Sequence, residues 1–146
     1  MTYCIGIRLE TGLVFLSDSR TNAGLDHIAS FRKMMIYERP GERFMVLLSA
    51  GNLSVSQSVR ELLQVEKIDA GNEEEGLTIW NCASLFDAAR VLGSTVRRVY
   101  AQDGPSLKAA GVDFNASFIL GGQIGHQGKM EAMRMFLVYS PGNFIE

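Results

Sequence analysis

Residues 1–20 read MTYCIGIRLETGLVFLSDSR, and the placing of apolar residues in this stretch decides the fold. Tyr3, Ile5, Ile7 and Leu9 alternate with Cys4, Gly6 and Arg8, the period of two that sends successive side chains to opposite faces of a β-strand. "ETG" turns the chain, and in "LVFLSDSR" Leu13, Phe15 and Ser17 alternate with Val14, Leu16 and Asp18. A strand starting this early ties down a terminus, ordinarily the least ordered part of a domain. The residue so held is Thr2.

The next segments continue in the same style. After the polar loop "TNAGLD" come "ASFRKMMIYER", a turn at Pro40-Gly41, and "RFMVLLSAG", which makes four strands in the first 50 residues. In "FMVLLS" both alternating sets, Phe44/Val46/Leu48 and Met45/Leu47, are apolar, so this strand expects cover on both faces. Lys33 is placed inside an otherwise apolar strand. Beyond Gly51 the period becomes helical: Val55, Val59, Leu62 and Leu63 predict a helix over about 53–67, with Asn52 or Ser54 as its N-cap. "IDAGNEEEGLT" reads as a solvated loop. Leu85, Ala89, Leu92, Val96 and Val99 predict a second helix over about 81–101, and "QDGPSLKAAGVD" reads as the loop that follows it. "FNASFILGG" and "KMEAMRMFLVYS" predict a hairpin around "GGQIGHQGK". Strands, two helices, then strands suggest an α+β arrangement of stacked antiparallel sheets with helices on one outer face. One helix pair covers only one of two outer sheet faces, so a partner subunit or further chain is expected on the other.

The composition excludes several function classes. At 146 residues a single domain over 1–146 is expected. A net charge of -2 provides no basic field for nucleic acid. Arg8 and Glu10 interrupt what would be the apolar core of a signal peptide, and no apolar run approaches the roughly 20 residues that span a bilayer. Cys4 and Cys82 are far apart, without ligand spacing, and read as buried free thiols of a reducing cytoplasm. His27 and His126 have no Cys, Asp or Glu cluster around them, so no metal site is expected. "GGQIGHQGKM" is not a phosphate loop, since Met130 stands where Ser or Thr is required and no helix follows.

Taken singly, "SDSR", "FRKMM" and "LLSAGN" need no function. Taken in order, Thr2, Asp18, Arg20, Lys33 and Ser49-Ala50-Gly51 resemble the pattern of the proteasome β-subunit superfamily, the N-terminal nucleophile hydrolases. "MTYCIGIRLETGLVFLSDSRTNAGLDHIASFRKM" and "ERPGERFMVLLSAGNLSVSQ" resemble more closely its bacterial Anbu branch, the ancestral β-subunit-like proteins. The resemblance covers the whole chain and is most specific over residues 2–60.

This resemblance implies a four-layer αββα sandwich, incomplete in this chain because the second helix layer is missing. It implies a threonine peptidase that hydrolyses peptide bonds through an acyl-threonine intermediate. Trimming of Met1 would expose Thr2 as nucleophile. An ordinary α-amino group has a pKa of roughly 7.7–8.0, so near neutral pH a useful fraction can take the Thr2 hydroxyl proton. By the same resemblance Lys33 steadies the developing alkoxide, Asp18 holds Lys33, Arg20 supports the network, and the Gly51 N–H donates to the oxyanion. Phe31, Ser49 and Leu53 would wall a specificity pocket. The family uses no metal and no cofactor. It implies a peptide or unfolded-protein substrate and a homo-oligomeric ring. Whether an ATP-dependent unfoldase feeds it is left open, and any such partner would be a separate chain, because no ATPase motif occurs here. A catalytically silent ring subunit and a small-amide hydrolase are the competing readings.

Overall fold

The hairpin expected at the start of the chain is present: β1 (Cys4–Leu9) pairs antiparallel with β2 (Gly12–Ser17), Ile5 opposite Leu16 and Ile7 opposite Val14. The computed structural model describes residues 2–22, 28–69, 76–126 and 129–146, and the statements below concern these. Residues 23–27 of the expected polar loop, 70–75 of the acidic loop and 127–128 lie outside them, as do His27 and the His126 side chain.

Six strands form the central sheet. β5 (Met34–Arg39), β6 (Arg43–Gly51), β7 (Ala116–His126), β9 (Arg134–Val138) and β10 (Phe144–Ile145) lie in the order β10-β9-β7-β6-β5, all antiparallel, and the short β8 (Lys129–Met130) pairs with the end of β7. β6 pairs with β7 along its whole length, Arg43 opposite Ile124 through Gly51 opposite Ala116. Beside it, β3 (Arg20–Asn22) and β4 (Ile28–Ser30) form a separate two-stranded ribbon.

Strand period sorts the two faces of this sheet. Met45 and Leu47 of β6, Phe118 and Leu120 of β7, and Phe136 and Val138 of β9 belong to the core beneath the helices. α1 (Leu53–Leu63) contributes Val55, Val59 and Leu63, and α2 (Leu85–Ala109) contributes Leu85, Leu92, Val96 and Val99. The opposite face carries Val46, Leu48, Ile119, Gly121 and Met135. The β1–β2 hairpin lies on it, Gly6 against Ile119 and Met135, Phe15 against Gly121. Cover on both faces of β6 is therefore found, although Phe44 at its start is exposed. The layers are helix pair, central sheet and N-terminal hairpin, an α+β arrangement with one helix layer. The outward residues of the hairpin, Tyr3, Ile5, Ile7, Leu9, Val14 and Leu16, are exposed.

Several expectations are corrected. The single strand expected over 29–39 is two, with residues 31–33 between them, so Lys33 stands at a junction and not inside a strand. Only its carbonyl joins the sheet, accepting from the Ser49 N–H at 3.0 Å. The glycine-rich "GGQIGH" is strand, not hairpin loop. At Gly122 the φ of 152° and the nearness of the Phe44 carbonyl and Met45 Cα leave no space for a Cβ, so glycine is what lets β7 pair this closely with β6.

The helices also shift. α1 is shorter than expected, with Asn52 as its N-cap: the Asn52 side chain accepts the Ser54 N–H at 3.0 Å. α2 starts later, because Asn81 and Thr78 exchange hydrogen bonds in a turn and Ser84 then caps Asp87. It runs on through Pro105, where a loop was expected. It stops at Gly111, whose φ of 71° allows the Val112 N–H to reach the Leu107 carbonyl at 2.9 Å. Cys82 is buried as expected, but Cys4 is only half-buried, since β1 is covered on one face alone.

Candidate active site

The segments that leave β1, β2 and β5 meet at one place. Thr2 is exposed and immediately precedes Tyr3, whose N–H donates to Asp18 Oδ1 at 2.9 Å and whose carbonyl accepts the Asp18 N–H at 3.0 Å. Asp18 follows the last residue of β2, so the hairpin register carries it to the chain start. From the other side, Lys33 Nζ donates to both Asp18 oxygens at 2.8 Å and to the Arg20 carbonyl at 2.6 Å.

Burial makes this a demanding arrangement. The Lys33 side chain is 4% exposed, and a buried ammonium is tolerated only when paired and hydrogen-bonded. Asp18 supplies the opposite charge. The Lys33 hydrogen bond, and after it the Tyr3 N–H, hold the Asp18 carboxyl below the usual carboxylate range. Arg20 enters through its carbonyl, while its side chain is exposed.

The end of β6 closes the site from below. Ser49 is buried, with its N–H and Oγ both on the Lys33 carbonyl, at 3.0 and 3.4 Å. The Cys4 Sγ donates to the Ser49 carbonyl at 3.4 Å, and burial, ahead of the neighbouring charges, pushes this thiol up. Gly51, two residues on, has a φ of 107°, and a Cβ there would strike the Asn115 carbonyl. Thr2, Asp18, Lys33, the Arg20 main chain and Ser49 are thus brought together, with Gly51 at the adjoining strand end.

The expected pocket residues fare unevenly. Phe31 is half-buried, joined to the site by its N–H on the Ser19 carbonyl at 2.8 Å. Ser49 lies beneath the site, and Leu53 is a half-buried first residue of α1. A cavity of about 520 Å³ does adjoin the site, but Ser17, Arg32, Met34, Met35, Ile36 and Arg60 line it instead. The sequence reading missed Arg60. Its readable signal is a cation on α1 with Ser56, Gln57, Leu63 and Gln64 at helical spacing, none of them acidic. Among the described residues no group of three or more His, Cys, Asp or Glu could hold a metal ion, and no helix is long and apolar enough to cross a membrane.

No family model matches the chain, and no curated protein matches it. Solved structures do. A Gly-1 mutant of Anbu from Hyphomicrobium sp. strain MC1 is 42% identical with a TM-score of 0.82, over 99% of this chain and 56% of that one. Anbu, the ancestral β-subunit, from Yersinia bercovieri is 44% identical with a TM-score of 0.79, over 97% and 54%. A subunit from the helical assembly of the Anbu complex of Pseudomonas aeruginosa is 43% identical with a TM-score of 0.81, over 97% and 55%. The chain spans a little over half the length of the subunits it matches. Sequence and fold agree along nearly all of its 146 residues, and it is an Anbu-like member of the proteasome β-subunit superfamily.

Proposed function

We propose that this chain carries the nucleophile end of a proteasome-type threonine peptidase. The observation that supports this most directly is the buried Lys33 ammonium, held by Asp18 and by the Arg20 carbonyl next to the start of the chain. A buried ion pair of this kind beside the start of the chain is a functional-site candidate, and the aliphatic hydroxyl that adjoins the Asp18-bound Tyr3 in the chain is that of Thr2.

The steps follow from the atoms. With Met1 removed, the Thr2 α-amine takes the Thr2 hydroxyl proton, directly or through a water. Asp18 pins the backbone of the next residue from both its N–H and its carbonyl, which keeps amine and hydroxyl in register. Lys33 Nζ donates to both Asp18 oxygens and to the Arg20 carbonyl, and its positive charge lowers the cost of the developing alkoxide. The alkoxide attacks a peptide carbonyl, and the Gly51 N–H receives the oxyanion, a contact worth about 3–4 kcal/mol in other hydrolases. The protonated Thr2 α-amine gives its proton to the leaving nitrogen as the tetrahedral intermediate collapses, which expels the amine product and leaves an acyl-threonine ester. The freed amine then takes a proton from the water that hydrolyses this ester. The substrate is a peptide or unfolded protein, and the working form is a multi-copy assembly, as the helical assembly of the Pseudomonas aeruginosa complex suggests by analogy.

Peptide hydrolysis by Thr2→Ala against the unaltered protein tests this reading. Turnover is expected to fall at least about a thousandfold while the fold is retained. Undiminished hydrolysis would remove Thr2 from the mechanism.

A further inference from the structure

The cavity beside the ion pair contains cations that no carboxylate answers. Arg8, Arg39, Arg43, Arg90, Arg98 and Arg134 each have a carboxylate oxygen within 3.5 Å. Among the described residues, Arg32 and Arg60 form no ion pair, as Arg20 and Arg97 do not, but only Arg32 and Arg60 line this cavity.

Arg60 is nevertheless fixed in place. Its guanidinium lies 4.8 Å from the Phe31 ring centroid, its Nε donates to Met35 Sδ at 2.6 Å, and its Nη1 donates to the Arg32 carbonyl at 2.8 Å. These contacts hold the planar group by one edge and one face and leave Nη2 for another acceptor. Burial lowers the Arg60 pKa, and so does the nearby Arg32 charge, while Tyr37 and Glu61 act the other way without pairing with it. Two adjacent cations, one immobilised and partly desolvated, favour an anion between them.

Position says which anion. Ser17 and Arg32, which line the cavity, directly precede Asp18 and Lys33 in the chain, so the cavity opens beside the proposed nucleophile. Met34, Met35 and Ile36 supply apolar surface around the two guanidinium groups. We propose that this cavity receives an acidic side chain, Glu or Asp, of a peptide substrate, with Arg60 as the residue that sets the preference. Arg60 binds the carboxylate through Nη2, Arg32 adds its charge at the exposed mouth, and the methionines pack on the methylenes. The proposal rests on the peptidase reading for its substrate class.

Its test therefore reads binding and not turnover. Labelled, C-terminally amidated peptides that differ only by Glu, Gln, Leu or Lys at one position are titrated against Thr2→Ala by fluorescence anisotropy. The Glu peptide is expected to bind about tenfold more tightly than the Gln peptide, the range of a charge-assisted hydrogen bond. Arg60→Met should abolish that preference. Arg32→Gln, at an exposed position that does not bear on folding, should reduce it about threefold. Equal affinity for Glu and Gln, failure of both to bind, a Leu preference, or a Glu preference untouched by either substitution would each overturn the proposal. Retained Glu preference without hydrolysis by the unaltered protein would sink the peptidase reading and leave the cavity's specificity standing. Hydrolysis that ignores the acidic residue would do the reverse.

Discussion

The Lys33 ammonium lies 2.8 Å from each carboxylate oxygen of Asp18, and the same carboxylate accepts the Tyr3 N–H at 2.9 Å. A single side chain thus fixes both a buried cation and the first strand of the protein. Charge placement and N-terminal order become one structural element, and damage to one should be felt by the other.

Asp18→Asn separates these effects by pH. The folded-state pKa of Asp18 is depressed below the ordinary 3.8, so its contribution to stability is complete above that value and is lost as pH falls through the lower folded-state pKa. Urea midpoints followed from pH 6 to pH 2 should show the difference between the unaltered protein and Asp18→Asn shrinking below about pH 4. A difference that stays constant through that range would mean the ion pair does not support the fold.

Lys33→Ala and Thr2→Ala should differ in kind. Lys33 is buried and makes charged hydrogen bonds, so its removal should cost about 1.5–3 kcal/mol of stability as well as turnover. Thr2 is exposed, so its truncation should leave the denaturation midpoint unchanged and remove turnover alone. Paired denaturation and hydrolysis measurements on both variants check this.

Gly122→Ala tests the strand that replaced the expected loop. A methyl group would meet the Phe44 carbonyl and Met45 Cα, in a backbone conformation that side chains rarely adopt. A loss of about 2–4 kcal/mol is expected by chemical denaturation. A substitution tolerated without loss would place this segment back in a flexible turn.

The two thiols should report burial in sequence. Burial pushes the Cys82 thiol up to about 11, and the residue is wholly enclosed between Ile79 and the Arg43 side chain. Cys82 should react with a thiol reagent at pH 8 only at the rate of global unfolding, whereas half-buried Cys4 should react sooner. Mass-resolved labelling of the native protein gives the order directly.

What was legible in the sequence is what period and order encode. The alternation of β1 and β2, and the two apolar faces of β6, announced the layered strands. Asp18, Lys33 and Ser49-Ala50-Gly51 gained meaning only as an ordered set, because each alone is ordinary surface or turn chemistry. Features that depend on long-range contact were hidden. Lys33 looks like a strand residue until Asp18 and the Arg20 carbonyl draw it to a junction. Gly121 and Gly122 look like a loop until Phe15 and the Phe44 backbone are packed against them. Pro105 reads as a helix end, yet it falls where α2 still has a capped turn to complete. Arg60 shows its unanswered charge in sequence, but Phe31 and Met35, which hold it, lie 29 and 25 residues earlier and reach it only by folding.

The most direct measurement is the intact mass of the purified protein before and after exposure to a peptide epoxyketone, a reagent that closes a ring only on an amine and hydroxyl carried by the same terminal residue. The expected result is a protein lacking Met1 that gains one inhibitor mass, located on Thr2 by fragmentation and absent from Thr2→Ala. A protein that keeps Met1, or an adduct that persists in Thr2→Ala, would contradict it.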